Sequence, residues 1–385
     1  MMSIIALLLF VICPIMVLPF LFLGLKKDKK HKNVYLIIIA IFVALFSYNY
    51  RPKSEEDLYR HHIDTMQYED ASVEVLAKDI SQKPEQLSTV YKFIISKTGN
   101  QDLLQFFTSA ISFFILFYLL NEYTEKNKDV KGWRLFGIWI FVLSGFHFIV
   151  ITSGIFYTLA LEIFSLGVYL NYEKKRKVWG WIFYIMPMFI HTCAFLPFIL
   201  ILLFKLLGSK NNIKNILILV GLIMSIGFLL VVIAPNIDLP IVKELSNLYK
   251  WYFNNEEAWA DMHPIPILIM YMSRLVPVCV SYKMAHSKNG ISDFSFFMTV
   301  AIVVLYFQTT FSIRYIHIAV LCGLPLLFAA ARDKKYGRLF SLSLYVFAAP
   351  HIIYQIRQFV GLGYFEDVKR IFVTNLVTML SEGGI

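Results

Sequence analysis

The stretch SIIALLLFVICPIMVLPFLFLGLKKDKKHKNVYLIIIAIFVALFSYNY, Ser3–Tyr50, decides the fold class of this protein. It contains two apolar runs, residues 3–25 and 34–50, separated by the basic loop KKDKKHK at 26–32. Uncharged runs of this length can cross a bilayer as helices. Because lipid offers no partners to backbone N–H and C=O groups, only helices and closed barrels span a membrane. The stretch therefore predicts two membrane helices joined by a short basic loop.

Similar apolar runs recur along the whole chain. Hydrophobic residues make up 58% of the sequence and charged residues only 16%, and a soluble fold of 385 residues could not cover that much apolar surface. The further runs are 102–121, 135–151, 155–171, 178–190, 194–207, 215–234, 264–282, 294–312, 315–331 and 339–356. We predict an all-α, polytopic integral membrane protein with about 10–12 transmembrane helices. It is expected to form a single membrane domain over residues 1–385.

The short loops predict the orientation of the helices. If 26–32 is cytoplasmic, alternation also makes five other loops cytoplasmic, and each of them is rich in Lys and Arg: 122–134, 173–177, 205–214, 283–288 and 332–338. This is the distribution that the positive-inside rule requires. It explains the net charge of +10 without nucleic acid as a partner. Two long loops, 51–101 and 235–263, and the tail 359–385 are then extracytoplasmic.

One uncharged stretch, residues 178–204, does not fit a single span. As a continuous helix it would be about 40 Å long, which is too long for one upright span and short for two. We favour a hairpin of two short helices that turns near His191.

The first long loop begins with the stretch SEEDLYRHHIDTMQYED, Ser54–Asp70. Ser54 followed by acidic residues is a favourable helix start. On that helix Asp57, His61 and Asp64 share one face, which would suit a metal site, a base with an orienting acid, or an exposed charged surface. Later in the loop, apolar residues at helical spacing predict an amphipathic helix on the membrane surface: Leu87, Val90, Tyr91, Ile94 and Ile95.

Other ionisable groups gather toward the predicted outer side. Arg51, Arg314 and Arg357 lie at outer helix ends, whereas Arg274 and Glu162 lie inside helices. A charge at membrane depth costs about 2.5–3.5 kcal/mol, so it usually has a function. Since a guanidinium fits phosphate oxygens, an outward pocket for a phosphorylated, lipid-borne ligand is expected.

Each of these groups also has a structural explanation. Glu162 could simply pair with Arg274, and Arg314 and Arg357 could extend to lipid headgroups. His191 could simply bond to backbone. The aromatic residues of the second long loop would stack on sugars or form an interfacial belt: Tyr249, Trp251, Tyr252 and Trp259.

No phosphate-binding loop, HExxH or GxSxG motif occurs in the sequence. Neither ATP-driven chemistry nor zinc hydrolysis is therefore supported. We expect no cofactor and no metal.

Four segments carry a family resemblance: DLYRHH at 57–62, SGIFYTLALEIFSLGVYL at 153–170, IHTCAFLPFILIL at 190–202 and FSIRYIHIAVLCGLPLLF at 311–328. In this order the chain resembles the EpsG-like, Wzy-type polysaccharide polymerases of bacterial envelopes, over about residues 34–356. That family often has an Arg-Gln pair opening the fifth helix, where this sequence has Ser153 and Gly154.

The resemblance implies a reaction at the outer face of the bacterial cytoplasmic membrane, in which a growing glycan moves from undecaprenyl pyrophosphate to a lipid-linked repeat unit. It implies His191 or Asp57 as the catalytic base. The expected substrate-binding residues are Tyr59, Arg60, His61, His62, Arg51, Arg274, Arg314, Arg357 and Glu162. Expected partners are the undecaprenyl-pyrophosphate-linked oligosaccharide, membrane lipids, and a flippase and a chain-length regulator of the same pathway.

Two other functions remain open from the residues alone. Arg51 and His62 have a spacing found in membrane acyltransferases that modify envelope sugars. A flippase for lipid-linked oligosaccharides is the second alternative, although such folds usually consist of two related halves and no repeat is visible here.

Overall fold

A computed structural model describes residues 2–207, 218, 221, 264–286, 289–304, 309–361, 369 and 374–378. Every regular element in these segments is helical. In chain order the α-helices are α1 Met2–Ile12, α2 Leu18–Lys27, α3 Lys32–Tyr48, α4 Asp57–Met66, α5 Val73–Gln82, α6 Gln86–Ser96, α7 Asp102–Lys126, α8 Trp133–Gly145, α9 Phe148–Ser153, α10 Ile155–Tyr172, α11 Lys177–Ile190, α12 Phe195–Leu207, α13 Pro264–Met284, α14 Gly290–Val304, α15 Thr309–Cys322, α16 Leu324–Arg332 and α17 Gly337–Gly361.

Four of these helices, α3, α7, α10 and α17, are long and apolar enough to cross a membrane. A fifth span results if α15 and α16, which meet at an angle of 49°, count as one. Several shorter apolar helices surround them. The prediction of an all-α, polytopic membrane protein is confirmed.

Three of the predicted runs are broken rather than continuous. The run 3–25 divides at Pro14, which opens a 3-10 turn, because proline cannot donate the hydrogen bond that would continue α1. The run 135–151 divides at Phe146 and His147, between α8 and α9. The run 315–331 bends at Gly323, just before Pro325 at the second position of α16.

The predicted hairpin near His191 is confirmed. Helix α11 ends at Ile190, and α12 begins at Phe195 after a single 3-10 turn. The Lys205 ammonium, near the end of α12, lies 4.0 Å from the centre of the Trp181 ring in the first half of α11. Helix α12 therefore returns toward the start of α11.

Helix α10 lies at the centre of the bundle. Of its most apolar window, 78% is buried by protein, against 28% for α17. It packs against α7, α11 and α15. Helix α17 leaves apolar side chains exposed along one side, among them Leu339, Val346 and Ile353, and buries others such as Leu344. That exposed apolar surface suits contact with lipid.

Basic loops meet at one end of the bundle, which we call the basic end. Glu122, at the end of α7, accepts hydrogen bonds from Lys32 at 2.9 Å and from Lys174 at 2.6 Å. Further ion pairs join the other loops there: Lys126–Glu173 at 2.7 Å, His286–Asp333 at 3.4 Å and Arg332–Asp129 at 3.8 Å. Of the six loops predicted to be cytoplasmic, five thus lie together. The sixth, 205–214, is described only as far as Leu207.

The first long loop folds into three short helices, α4–α6, which we call the cap helices. Helix α4 begins at Asp57 with Glu56 as its N-cap, not at Ser54 as expected, and the Tyr50 hydroxyl bonds to the Glu56 carboxylate. Helix α6 confirms the predicted amphipathic helix. Its buried residues, however, include Ser88, Thr89 and Ser96 besides Ile95, because it packs against protein as well as facing outward. Helix α5 was not predicted.

Some predicted elements lie outside the described residues. These are the span 215–234, the loop 235–263 with its aromatic residues, and most of the tail beyond Gly361.

Candidate functional site

A cavity of about 310 Å³ opens among the helix ends remote from the basic end. Helix α8 runs from Arg134, which bonds to the Ala331 carbonyl oxygen beside the basic loops, to Gly145 in the cavity wall. Helix α10 runs the opposite way, from Tyr157 in the wall to Tyr172. The ionisable residues of the wall are Asp57, His147, Arg274, Arg314, His317 and His351. They come from five separate parts of the chain, so only the fold brings them together.

Arg274 is the most deeply placed charge in the wall. It lies roughly 15 Å along α13 from Pro264, about half the thickness of a hydrocarbon core, and its exposed fraction is 2%. Its guanidinium donates to the Phe141 carbonyl oxygen and, at 3.0 Å, to the Ser144 hydroxyl. Its Nε has no partner within the described residues. The buried cation is therefore only partly satisfied by protein.

Gly145 makes room for this guanidinium. A Cβ atom at that position would overlap the Arg274 guanidinium, so only glycine allows the close approach. The carbonyl end of α8 and the glycine after Ser144 together fix where Arg274 points.

Arg314 and His191 both pack against one tyrosine of the cavity wall, Tyr157. The Arg314 guanidinium lies 4.5 Å from the centre of the Tyr157 ring. The His191 ring packs edge-on against the same ring, with centroids 6.2 Å apart. His191 does not itself line the cavity, but it contacts Tyr157, which does. The structure therefore brings the two predicted residues into one region.

Three histidines, His147, His317 and His351, complete the wall. His147 Nε2 lies 2.9 Å from His351 Nδ1, and His351 Nε2 lies 2.7 Å from the Ser273 hydroxyl. His317 packs against Phe146, and its Nδ1 is buried without a partner among the described residues. Together with the two arginines, these groups make the wall cationic or neutral everywhere except at Asp57.

The profile of the EpsG family matches residues 57–366, which include every residue of the cavity wall. The chain belongs to the EpsG family. This confirms the resemblance seen in the sequence and indicates a polysaccharide-polymerase type of function for a membrane protein. No curated protein and no solved structure is significantly similar to the chain.

In this EpsG-family chain, Asp57 is the one predicted acid that reaches the cavity. It opens α4, where a carboxylate is favourable to the helix dipole. It forms an ion pair with Arg60, whose side chain is mostly exposed. Tyr59 is exposed on the same helix. Asp57 therefore lies at the junction between the cap helices and the cavity.

His61 and His62, the adjacent histidines of α4, face protein rather than the cavity. His61 packs edge-on against Phe156, with centroids 4.9 Å apart. Burial and, next, the Lys92 ammonium lower the pKa of His61 to about 2. His62 Nε2 bonds to Gln105 Oε1 at 2.8 Å, and burial lowers the pKa of His62 although that bond opposes the shift.

The proposed Asp57–His61–Asp64 face does not form a common site. Asp57 pairs with Arg60 and Asp64 with Lys92, at 2.7 Å for the latter. Nowhere in the described segments are three His, Cys, Asp or Glu side chains grouped so that they could hold a metal ion. The two acids of this face therefore form separate ion pairs, each with its own cation.

Three other expected substrate-binding residues also lie away from the wall. Arg51 forms an ion pair with Asp102 at 2.5 Å, and Arg357 is exposed on α17. Glu162 is fully buried in α10, and neither of its carboxyl oxygens has a partner in the described part of the chain. The alternative that Glu162 pairs with Arg274 is wrong, because Arg274 bonds to α8.

A glutamate of the cap helices holds the turn that carries His191. Glu85 Oε1 accepts the Thr192 N–H at 3.0 Å and the Thr192 hydroxyl at 3.3 Å, and lies 3.7 Å from His191 Nδ1. His191 Nδ1 accepts the Cys193 N–H at 3.0 Å. Its single proton is then on Nε2, so in this arrangement His191 is a hydrogen-bond donor.

Sequence reasoning did not select Tyr157, His147, His317, His351 or Glu85. For the three histidines, the gathering of ionisable groups toward the predicted outer side was the available signal. Tyr157 and Glu85 carry no local signal, since each gains its role only from a contact with a distant helix.

Proposed function

We propose that this EpsG-family protein is a polysaccharide polymerase, a glycosyltransferase that moves a growing glycan from undecaprenyl pyrophosphate onto a lipid-linked repeat unit. The observation that carries the proposal is the placement of Arg274, Arg314 and three histidines around one cavity that also receives Asp57. Family membership supports the same reaction class.

The cationic wall suits a lipid diphosphate. Arg274 has an unsatisfied Nε at mid-bundle depth, and Arg314 lies over Tyr157 in the same wall. Guanidinium groups bind phosphate oxygens through paired, charge-assisted hydrogen bonds. In a water-poor cavity such donors stabilise the charge that develops on a leaving diphosphate. The chain can supply this stabilisation from its own side chains.

The reaction needs no external energy source. The acceptor hydroxyl oxygen forms a bond to the anomeric carbon of the donor glycan. The bond from that carbon to the diphosphate oxygen breaks, and its electron pair leaves with undecaprenyl pyrophosphate. The acceptor proton passes to a base. Asp57 and His191, the bases expected from the sequence, differ in position, since Asp57 lines the cavity and His191 only contacts Tyr157, a residue of its wall.

The geometry supports an active site at the outer face of the bacterial cytoplasmic membrane. The cavity lies at the helix ends remote from the basic end, and Lys-rich ends are normally cytoplasmic. Lipid-linked repeat units would then reach the cavity after transport by a flippase, and a chain-length regulator would act on the same product. Both partners are part of the proposal.

The direct test uses the purified full chain in detergent with lipid-linked repeat units. We expect a ladder of long chains, whereas an acyltransferase would leave chain length unchanged and a flippase would only move substrate across vesicles. Arg314→Ala, Asp57→Asn and His191→Ala should shorten or abolish the ladder at matched protein amounts. Arg338→Ala, an exposed arginine at the basic end, is the control and should behave as wild type. Wild-type ladders from all three variants would show that the site is elsewhere.

A further inference from the structure

Three hydrogen-bonded side chains, Ser273, His351 and His147, connect α13 and α17 with the break between α8 and α9. The Ser273 Oγ lies 2.7 Å from His351 Nε2, and His351 Nδ1 lies 2.9 Å from His147 Nε2. Their exposed fractions are 4%, 3% and 6%. Both histidines reach the cavity wall. The chain of bonds therefore begins at the cavity and ends inside α13.

The bonding partners fix where each proton lies. The Ser273 hydroxyl donates its one proton to the Met270 carbonyl oxygen at 2.8 Å, because a carbonyl can only accept. Its oxygen then accepts the His351 Nε2–H. A neutral imidazole has a single N–H, so His351 Nδ1 is bare and accepts the His147 Nε2–H. By the same rule, His147 Nδ1 carries a lone pair.

That lone pair is available to a ligand. Unlike His317 Nδ1, His147 Nδ1 is not an enclosed atom without a partner. His147 lines the cavity, so a ligand there can reach this nitrogen. We propose that His147 is the base that accepts the proton of the acceptor hydroxyl, with His351 and Ser273 as the positioning residues that keep its Nδ1 unprotonated. This inference rests on the proposed polymerase function.

The proton transfer balances with the glycosyl transfer. As the acceptor oxygen bonds to the anomeric carbon, its proton moves to His147 Nδ1. The positive charge on His147 is shared with His351 through the Nε2–H bond between them. The electron pair of the broken carbon–oxygen bond leaves on the diphosphate, whose negative charge beside Arg274 offsets the new imidazolium. The diphosphate or water finally removes the proton.

The other candidates in the region lack this arrangement. The Asp57 carboxylate is held by Arg60, which leaves it suited to binding acceptor hydroxyl groups. His191 uses its Nδ1 lone pair on the Cys193 N–H, so its Nε2 is a donor. His317 packs against Phe146, but its Nδ1 is buried and has no hydrogen-bond partner among the described segments. Of the candidate bases in the described residues of this region, only His147 has both an exposed lone pair and a fixed tautomer.

The test measures initial rates of the purified full chain at varied donor concentration. We expect His147→Ala to lower kcat by at least about 100-fold with KM for the donor unchanged. Added imidazole should restore part of the rate, because it can occupy the space of the missing ring and accept the proton. His286→Ala, at an exposed histidine near the basic end, should keep the wild-type rate and show no imidazole effect.

Variants of the positioning residues separate base orientation from structure. His351→Asn keeps an acceptor for the His147 Nε2–H and should retain more activity than His351→Leu. Ser273→Ala should lower kcat, and Ser273→Thr should restore it. The inference fails if His147→Ala keeps the wild-type kcat, if it only raises KM, or if imidazole has no effect on the folded variant. A wild-type protein that makes no polymer would instead refute the proposed function.

Discussion

The Arg314 guanidinium lies over the ring of Tyr157, 4.5 Å from its centre. This contact joins α15 to the first turn of α10, the most buried of the long helices. The same ring packs against His191 at the turn between α11 and α12. One aromatic side chain thus sets the relative positions of two residues that the sequence places more than a hundred positions apart.

Replacing Tyr157 should therefore disturb Arg314. A cation–π contact is worth about 0.5–2 kcal/mol, so Tyr157→Leu is expected to lower polymer yield by about 2- to 30-fold. Tyr157→Phe keeps the ring and should retain more activity. Polymer gels at matched protein amounts measure both. If Phe is as damaging as Leu, the hydroxyl and not the ring is what matters.

For Arg274, we predict that stability and activity move in opposite directions. Arg274→Met keeps a long side chain but removes a buried charge that the protein satisfies only in part, and such a charge is costly to bury. We expect an equal or higher melting temperature in detergent together with loss of polymer, because the diphosphate loses its deepest cation. Retained polymer would show that Arg274 has only a structural role.

A second route to Arg274 leaves its charge in place. In Gly145→Ala the added methyl group overlaps the guanidinium and forces it to move. Polymer yield should fall, and KM for the donor should rise, while the protein still folds. An unchanged KM would mean that the guanidinium position is not important for binding.

Glu85 should stabilise the turn that carries His191. Glu85→Ala leaves the buried Thr192 N–H and hydroxyl without their acceptor, at a cost of about 1–3 kcal/mol. Glu85→Gln keeps an acceptor oxygen and should lose less. Melting temperature and protease cleavage near Pro84 report the effect. Glu74→Ala, an exposed acid on α5, is the control and should change neither.

His61 should make the cap helices sensitive to acid. Its pKa falls from an ordinary value of 6.5 to about 2 in the folded state. The unfolded chain therefore binds a proton that the folded chain excludes, so stability is complete above pH 6.5 and decreases as the pH falls toward 2. Protease sensitivity of residues 57–96 should rise below pH 6.5 and rise less in His61→Asn. Equal acid sensitivity of that variant would show that another group is responsible.

Glu162 should tolerate loss of its charge. It is buried in α10 with no hydrogen-bond partner for either oxygen in the described segments, and burying a bare carboxylate is far more costly than burying the neutral acid. Glu162→Gln is therefore expected to fold and to polymerise as wild type does. A large loss of polymer from this variant would favour the substrate-binding role expected from the sequence.

The sequence by itself determined the membrane class, the all-α fold and the shared location of the basic loops, because hydrophobic length and charge are local properties. It also placed the turn at His191, since the uncharged stretch was too long for one span. It located Asp57 at a helix start outside the bundle, although it placed the N-cap two residues too early, at Ser54 instead of Glu56. Pro14 and Gly323 could be read from the sequence, but whether the helix breaks or bends at such a residue depends on packing.

Only the tertiary structure decided which polar groups share a cavity. Asp57, His147, Arg274, Arg314 and His351 come from different helices, and no local pattern links them. Helix α4 carries Asp57 to the cavity wall but places His61 and His62 against Phe156 and Gln105. Whether a side chain of this helix faces protein or cavity depends on how the helix is rotated about its axis, which only the packing decides. The tautomers of His351 and His147 likewise follow from hydrogen bonds between distant segments, the first of them to Ser273. The composition determines that such a chain inserts into a membrane. The contacts between its helices determine which ligand it can bind there.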